Sequence, residues 1–467
     1  MIRDLVDGVG TYLERFRREL EELRRKIAPS PNAEVASPPH TLQDGVVRTA
    51  AKLAEGSPEF ETLGTVAAKA AGREVGDLVF VSPLKHFFRR RGAYLAIARG
   101  ESVTPESVAD DLEKELGKPG TIIRVRHLVS LPWADVEDGI PTVDAGWFRL
   151  RRYSVDELKR LLEYEARLVF YPESACYESE LRFLSDQWWL EVDDIEELPP
   201  VGSISVDFSA ISRTLRFTDV SSKVEQALAV VILLRWEDEH GHRSTWWSRL
   251  PLGHRVTLRE SLFDWPPSII SGDYYDVFEN GPEILIRRYR CSRIQELPSL
   301  ASKVETLATL DEARFIPEVV FRYLLKAVMA SGEVSYKIDQ LIYHVIAMDA
   351  LVGSGASGGR SAIFRRIAVL VGDTVGQDVE RRVKALYDER SALAHGGRKE
   401  EIAPDLSWDA HELLVRATRR AIDFFFSCKV TGQELARDEF LTFLDVLATT
   451  RGTARVRELT ERWEELY

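Results

Sequence analysis

Apolar residues recur at spacings of three and four through Leu5, Val9, Leu13, Phe16, Leu20 and Leu23, which predicts an amphipathic helix over 4–26 with Arg and Glu on its other face. Such a face is either plain solvated surface or a docking face for a partner or a second copy. Four prolines and no periodicity mark 28–42 as a linker. From Leu42 to Gly117 the pattern is mostly helical, with a break at Ser82-Pro83. Between 121 and 295 it changes to short β-branched and aromatic runs separated by turn residues. These runs are Thr121–Leu131, Ala166–Tyr171, Ser203–Phe208, Thr214–Phe217, Ala227–Trp236, Ser244–Leu250 and Glu283–Arg290. They predict a mostly antiparallel sheet with a few helices, one near Ser154–Leu162, and a hairpin joining Ala227–Trp236 to Ser244–Leu250.

After Pro298 helical spacing returns and persists. Helices are expected over Asp311–Ala330, Val334–Val352, Ser361–Val371, Asp378–His395, Trp408–Lys429, Thr431–Leu447 and Thr453–Leu466. The expected fold class is therefore α+β and multidomain: an N-terminal mixed α and antiparallel-β region over 43–300, followed by an all-α bundle over 301–467.

Composition bounds the function. A chain of 467 residues is too long for one core. Its 45% hydrophobic and 29% charged content is that of a globular protein. With no run of about 18 apolar residues and no signal-peptide pattern, a cytoplasmic protein that does not enter a membrane is expected. Cys176, Cys291 and Cys428 stand far apart, so they read as buried thiols rather than metal ligands or disulfides. A net charge of −13 excludes coating of nucleic acid by the whole surface. A local basic site is still allowed, since 360–399 carries nine basic and five acidic residues.

Several local patterns are candidates for chemistry. Lys85-His86-Phe87-Phe88-Arg89-Arg90-Arg91 interleaves cations with aromatics, which suits either RNA stacking or a helix end with a buried aromatic face. His240 and His242 share one side of an extended turn, but no third metal ligand accompanies them and no metal is expected. Gly353, Gly355 and Gly358 match the G-x-G-x-x-G spacing, with Asp373 downstream. That motif needs a strand before it, whereas Asp339–Val352 has helical periodicity, so an interhelical loop is the preferred reading.

The remaining pattern is Leu386-Tyr387-Asp388-Glu389-Arg390-Ser391-Ala392-Leu393-Ala394-His395-Gly396-Gly397, a helix stopping at two glycines. Arginine is always charged and can fork onto a phosphate, while histidine titrates near neutrality. The two types allow either a reaction centre or an ordinary helix terminus, in which His395 simply caps the helix and Arg390 joins an ion pair. Residues five apart on a helix are also displaced by about 140°, so a shared pocket depends on how the helix ends.

This stretch resembles the R-x4-6-H helix of the HEPN superfamily, most closely its Apea-like branch, and Ala347-Met348-Asp349-Ala350-Leu351 resembles that branch's acidic position, with Asp349 where glutamate is usual. The resemblance spans about residues 305–430. It implies a metal-independent and cofactor-free ribonuclease of a prokaryotic antiviral defence or toxin-like system. In such proteins two bundles dimerise and cleave RNA through its own 2′-hydroxyl. Arg390 and His395 would be catalytic, with Ser391 and Asp349 in support. RNA contacts would come from Arg360, Arg381, Arg382, Lys384, Arg398 and Lys399, together with Arg89, Arg90 and Arg91. The N-terminal region would bind a trigger or partner protein. A noncatalytic dimerisation or RNA-binding module is the alternative, and a nucleotide-binding enzyme using the glycine loop is a second.

Overall fold

The computed structural model describes residues 2–27, 39–71, 84–85, 87–89, 91–116, 122–136, 140–162, 169, 178–197, 222–237, 255–259, 289–291, 293–329, 336–354, 359–372, 376–394, 404–432 and 436–449. Two compact units emerge. The first comprises Met1–Ser130, Arg152–Arg216 and His254–Ser271; the second comprises Leu131–Arg151, Phe217–Gly253 and Gly272–Tyr467.

The first unit contains α1 (Ile2–Ile27), α2 (Pro39–Glu55), α3 (Pro58–Ala70), α4 (Ala93–Ala98), α5 (Pro105–Glu115), α6 (Val155–Leu161) and α7 (Glu178–Ser185). Helix α1 is central, packing on α2, α3 and α5. Its stripe of Leu5, Val9, Leu13, Phe16 and Leu20 is buried, together with Tyr12, which leaves its charged face for pairs such as Lys26–Glu22. The apolar face of the expected amphipathic helix is thus part of a core. Local chemistry sets the helix starts. Ser57 and Thr104 accept hydrogen bonds from the backbone N–H groups of Phe60 and Ser107, each just ahead of a proline suited to a first helical position. Ser154 and Glu157 form a reciprocal capping box ahead of α6.

Strand Ile122–Leu131 lies between Trp188–Glu197 and Arg255–Arg259, and its pairing with the latter is antiparallel, Val125 opposite Arg259. Leu128 and Trp189 pack with Tyr153 and with leucines of α6 and α7.

The second unit contains α8 (Ser222–Ile232), α9 (Leu297–Ala308), α10 (Phe321–Met329), α11 (Tyr336–Val352), α12 (Gly359–Val371), α13 (Gly376–Ala394), α14 (Pro404–Val430) and α15 (Arg437–Thr449). Small strand pairings accompany them. Thr142–Asp144 and Phe148–Arg152 form an antiparallel hairpin, and Tyr289–Cys291 pairs with Ala134–Val136 in parallel and with Trp236–Glu237 antiparallel. The hairpin turn includes Gly146 at φ +88°, a conformation that costs glycine little.

Three expectations change. The strand expected at Ala227–Trp236 is helix α8 over most of its length. Its residues from Ala227 to Ile232 are all buried, and a fully buried helix shows an unbroken apolar run rather than a stripe. The hairpin built on that strand therefore does not form as expected. The helix expected over Asp311–Ala330 starts later, after turns at 311–314, and opens with a π-helical segment at Ile316–Val320 that runs into α10, with Pro317 in its first positions, where a missing backbone donor costs little. The boundary expected at residue 300 also falls inside the second unit, because α8 packs on α9 and α10.

The expected elements at Ser203–Phe208, Thr214–Phe217, Ser244–Leu250 and Thr453–Leu466, and the His240–His242 turn, lie outside the described residues. No helix among the described residues is long and apolar enough to cross a membrane. Cys291 and Cys428 are buried and form no disulfide among the described residues, and Cys176 lies outside the described residues.

Candidate functional site

Helix α13 buries Val379, Val383, Leu386 and Tyr387 at helical spacing, so one face is committed to the bundle. Where that face meets α11 and α12, the Tyr387 hydroxyl donates to Asp349 Oδ1 at 2.5 Å. The Tyr387 ring also sets edge-on to Phe364 of α12, with centroids 5.2 Å apart. Three helices are therefore pinned at one point, next to which Arg390 and Ser391 stand half-buried.

The electrostatics follow from burial. Desolvation holds the Asp349 carboxyl above the ordinary carboxylate range, against the opposing pull of the Tyr387 hydrogen bond and the charges of Arg390 and Arg360. Burial, reinforced by Asp349, pushes the Tyr387 hydroxyl well above its usual range, so it stays a proton donor. Asp349 is thus occupied by tyrosine. Among the described residues Arg390 forms neither an ion pair nor a side-chain hydrogen bond, which leaves its fork of donors for a ligand. His395 is the first residue after α13 and lies outside the described residues, as do Arg398, Lys399 and Arg90.

The other expected RNA contacts divide sharply. Arg360, Arg381 and Lys384 are exposed, and Arg381 reaches Asp378 one turn back at 2.8 Å. Arg382 is instead held by Asp409 at 2.6 Å and Glu412 at 3.3 Å, tying α13 to α14. In the first unit the aromatics of the Lys85–Arg91 run, Phe87 and Phe88, are core residues. Arg89 grips the buried Glu55, donating from Nε at 2.9 Å and from Nη2 as well. Arg91 donates to Asp111 Oδ2 at 2.7 Å and to Ser107 Oγ at 2.8 Å. Both arginines are committed to neighbours within their own unit and are not carried forward as RNA contacts.

The glycine stretch after α11 follows a helix, not a strand. The Gly353 N–H donates to Asp349 O at 2.7 Å, and a Cβ at Gly353 would stand 2.4 Å from that oxygen, so glycine is required by the close return of the chain. Arg437 donates to the carbonyls of Ala350 and Gly353, and Arg366 to that of Val352. What is presented here is the carbonyl end of a helix, already capped by two guanidinium groups. The dinucleotide motif needs a strand at that position, and Gly355 and Gly358 themselves lie outside the described residues. Among the described residues no cluster of three His, Cys, Asp or Glu side chains could hold a metal ion.

Sequence reasoning missed two features. Tyr387 was read only as an apolar position, although a tyrosine on a buried face needs a partner for its hydroxyl, and Asp349 is that partner. His344 and His411 form a buried pair between α11 and α14, Nε2 to Nδ1 at 3.2 Å. Desolvation lowers His344 to about 4 and His411 well below its usual range, so both are neutral. Their signal was position. His344 sits three residues after Leu341 and four before Met348, on an apolar face. Compared with family models, curated proteins and solved structures, the chain finds no match.

Proposed function

We propose that the second unit is a metal-independent endoribonuclease whose working site forms where two copies bring their α13 ends together. Arg390 carries this reading: it is half-buried beside the Asp349–Tyr387 pair and, among the described residues, takes no internal carboxylate as its ion-pair partner. A guanidinium so placed suits a phosphodiester, whose non-bridging oxygens it can hold and whose developing charge it can offset. In the proposed step the 2′-hydroxyl oxygen bonds to phosphorus and the bond from phosphorus to the 5′-oxygen breaks. The 2′-proton is removed, a proton reaches the departing 5′-oxygen, and a 2′,3′-cyclic phosphate remains. His395, directly after the end of α13, is the proposed proton carrier, because imidazole exchanges protons near neutral pH. The prokaryotic defence or toxin-like setting and the two-copy site rest on the HEPN resemblance.

The test uses the purified full chain, RNA and a chelator, with products analysed for the cyclic phosphate. Arg390→Ala is expected to lower the cleavage rate roughly 10²- to 10³-fold, by analogy with loss of one charge-stabilising donor. His395→Ala should lower it roughly 10²- to 10⁴-fold, the usual contribution of general acid–base catalysis. Full cleavage by both variants would remove the catalytic assignment. RNA binding without cleavage by the wild type would instead point to a noncatalytic module.

A further inference from the structure

Resting on the reading of this bundle end as an RNA site, we propose that Arg360 is a second phosphate-contacting residue, which holds a phosphodiester adjacent to the one engaged by Arg390. The argument begins with chain direction. The 372–375 connection between α12 and α13 is short, and the two helices pack against each other, which makes them antiparallel neighbours. Phe364 of α12 meets Tyr387 of α13 and fixes their relative height. Arg360 lies four residues before Phe364 and Arg390 three residues after Tyr387. In antiparallel helices those two displacements run toward the same end, and spacings of three and four keep each arginine near the face of its aromatic partner. Both cations therefore flank one spot, where Asp349 receives the Tyr387 hydroxyl.

Their shared surroundings agree with this placement, since the charges of Arg360 and Arg390 both act on Asp349 and on Tyr387. Arg360 is exposed and, like Arg390, has no ion pair among the described residues. Two guanidinium groups beside one half-buried carboxyl that is already hydrogen-bonded to tyrosine leave an excess positive charge facing outward. A polyanion with regularly spaced phosphates complements that better than a single carboxylate ligand would, because each fork can take its own phosphate. Lys384 provides the contrast. It is also exposed on α13, but it lies three residues before Tyr387 and so runs toward the opposite end, which sets it apart from this site although the HEPN resemblance counts it among the RNA contacts.

The experiment measures binding of a fully 2′-O-methylated oligonucleotide, which cannot be cleaved, across a range of salt concentrations, with cleavage of the matching RNA followed in parallel. Arg360→Ala is expected to weaken binding roughly 5- to 10-fold, the worth of about one hydrogen-bonded contact. It should also reduce the slope of log affinity against log salt by about 0.7, the share of one single-strand phosphate contact. Arg360→Lys should restore the slope, and Lys384→Ala should change neither quantity. Because Arg360 is exposed, its removal tests a contact rather than the fold. Unchanged affinity and slope in Arg360→Ala, an equal loss in Lys384→Ala, or no binding by the wild type would each overturn the inference. Cleavage that depends on Arg390 and His395 while Arg360→Ala binds normally would leave the nuclease reading standing without it. The expected binding pattern with no cleavage would do the reverse.

Discussion

The two arginine-rich stretches look alike as text and differ in what surrounds them. In the first unit, Arg89 lies over a carboxylate that is buried, with side-chain exposures of 15% for Arg89 and 3% for Glu55, and Tyr94 donates to the same carboxylate at 3.2 Å. Tyr12 completes the chain through its bond to Tyr94, and burial raises both phenols above their usual range. At the α12–α13 end of the second unit, the nearby carboxylate already has a tyrosine donor, and two arginines have no ion pair among the described residues. A run of cations is thus not a site in itself. What distinguishes the two regions is whether the fold supplies an anion.

The strongest way to break this comparison is Arg89→Ala. It leaves Glu55 buried without its cation, and removing one partner of a buried pair costs about 3–5 kcal/mol. Denaturant unfolding should show that loss, and folded Arg89→Ala protein should bind RNA normally. A variant with native stability but weakened RNA binding would reverse the assignment of the two regions.

The second test separates histidines of the core from the histidine of the proposed site. His344 is held neutral, its folded pKa falling from an ordinary 6.5 to about 4. The stability this contributes is complete above 6.5 and is lost as pH falls through the folded value near 4. At about 1.36 kcal/mol per unit, the effect is on the order of 3 kcal/mol. Unfolding midpoints measured between pH 7 and 4 should therefore decline, and less steeply in His344→Gln. Midpoints independent of pH would remove the neutral-pair description. Loss of RNA cleavage at a pH where the midpoint has not yet moved would belong to the site rather than to this pair.

A smaller effect, about 1–3 kcal/mol, is expected for Tyr387→Phe, which keeps the ring against Phe364 but leaves the Asp349 carboxylate without its hydroxyl donor. Freed from tyrosine, Asp349 can turn to Arg390, so binding of the methylated oligonucleotide should weaken as well. Stability loss with unaltered binding would mean that the tyrosine only packs. The smallest change is expected for Arg91→Ala. Its partner Asp111 is 42% exposed, and surface ion pairs are worth about 0.2–1 kcal/mol. Its unfolding midpoint should nearly match wild type, and a loss as large as that of Arg89→Ala would erase the distinction between the two pairs.

Much of the helical fold was legible along the chain, and the failures have physical causes. Helices α1, α12, α13 and α14 each alternate buried and exposed positions at helical spacing, and α11 alternates buried and partly buried ones, so their stripes could be read directly. Helix α8 could not be distinguished from a strand because both of its sides are buried. Pro317 was visible as a residue, but its place in the first positions of a π-helical segment required the backbone path. At the candidate site, Arg390 and Asp349 were identifiable by type and position. Tyr387 was hidden because a buried aromatic and a buried hydrogen-bond donor look the same in a hydrophobic pattern.

The sequence alone determined which residues carry charge, where the helices with an apolar stripe run and which residue types could handle a phosphodiester. Those properties are set by side-chain chemistry and by local periodicity. Only the tertiary structure decided which arginines are already engaged, because an ion pair such as Arg89–Glu55 joins residues 34 positions apart and leaves no local mark. The same holds where Asp349 meets Tyr387 across 38 positions: helix packing fixes their contact, and with it the place of Arg390.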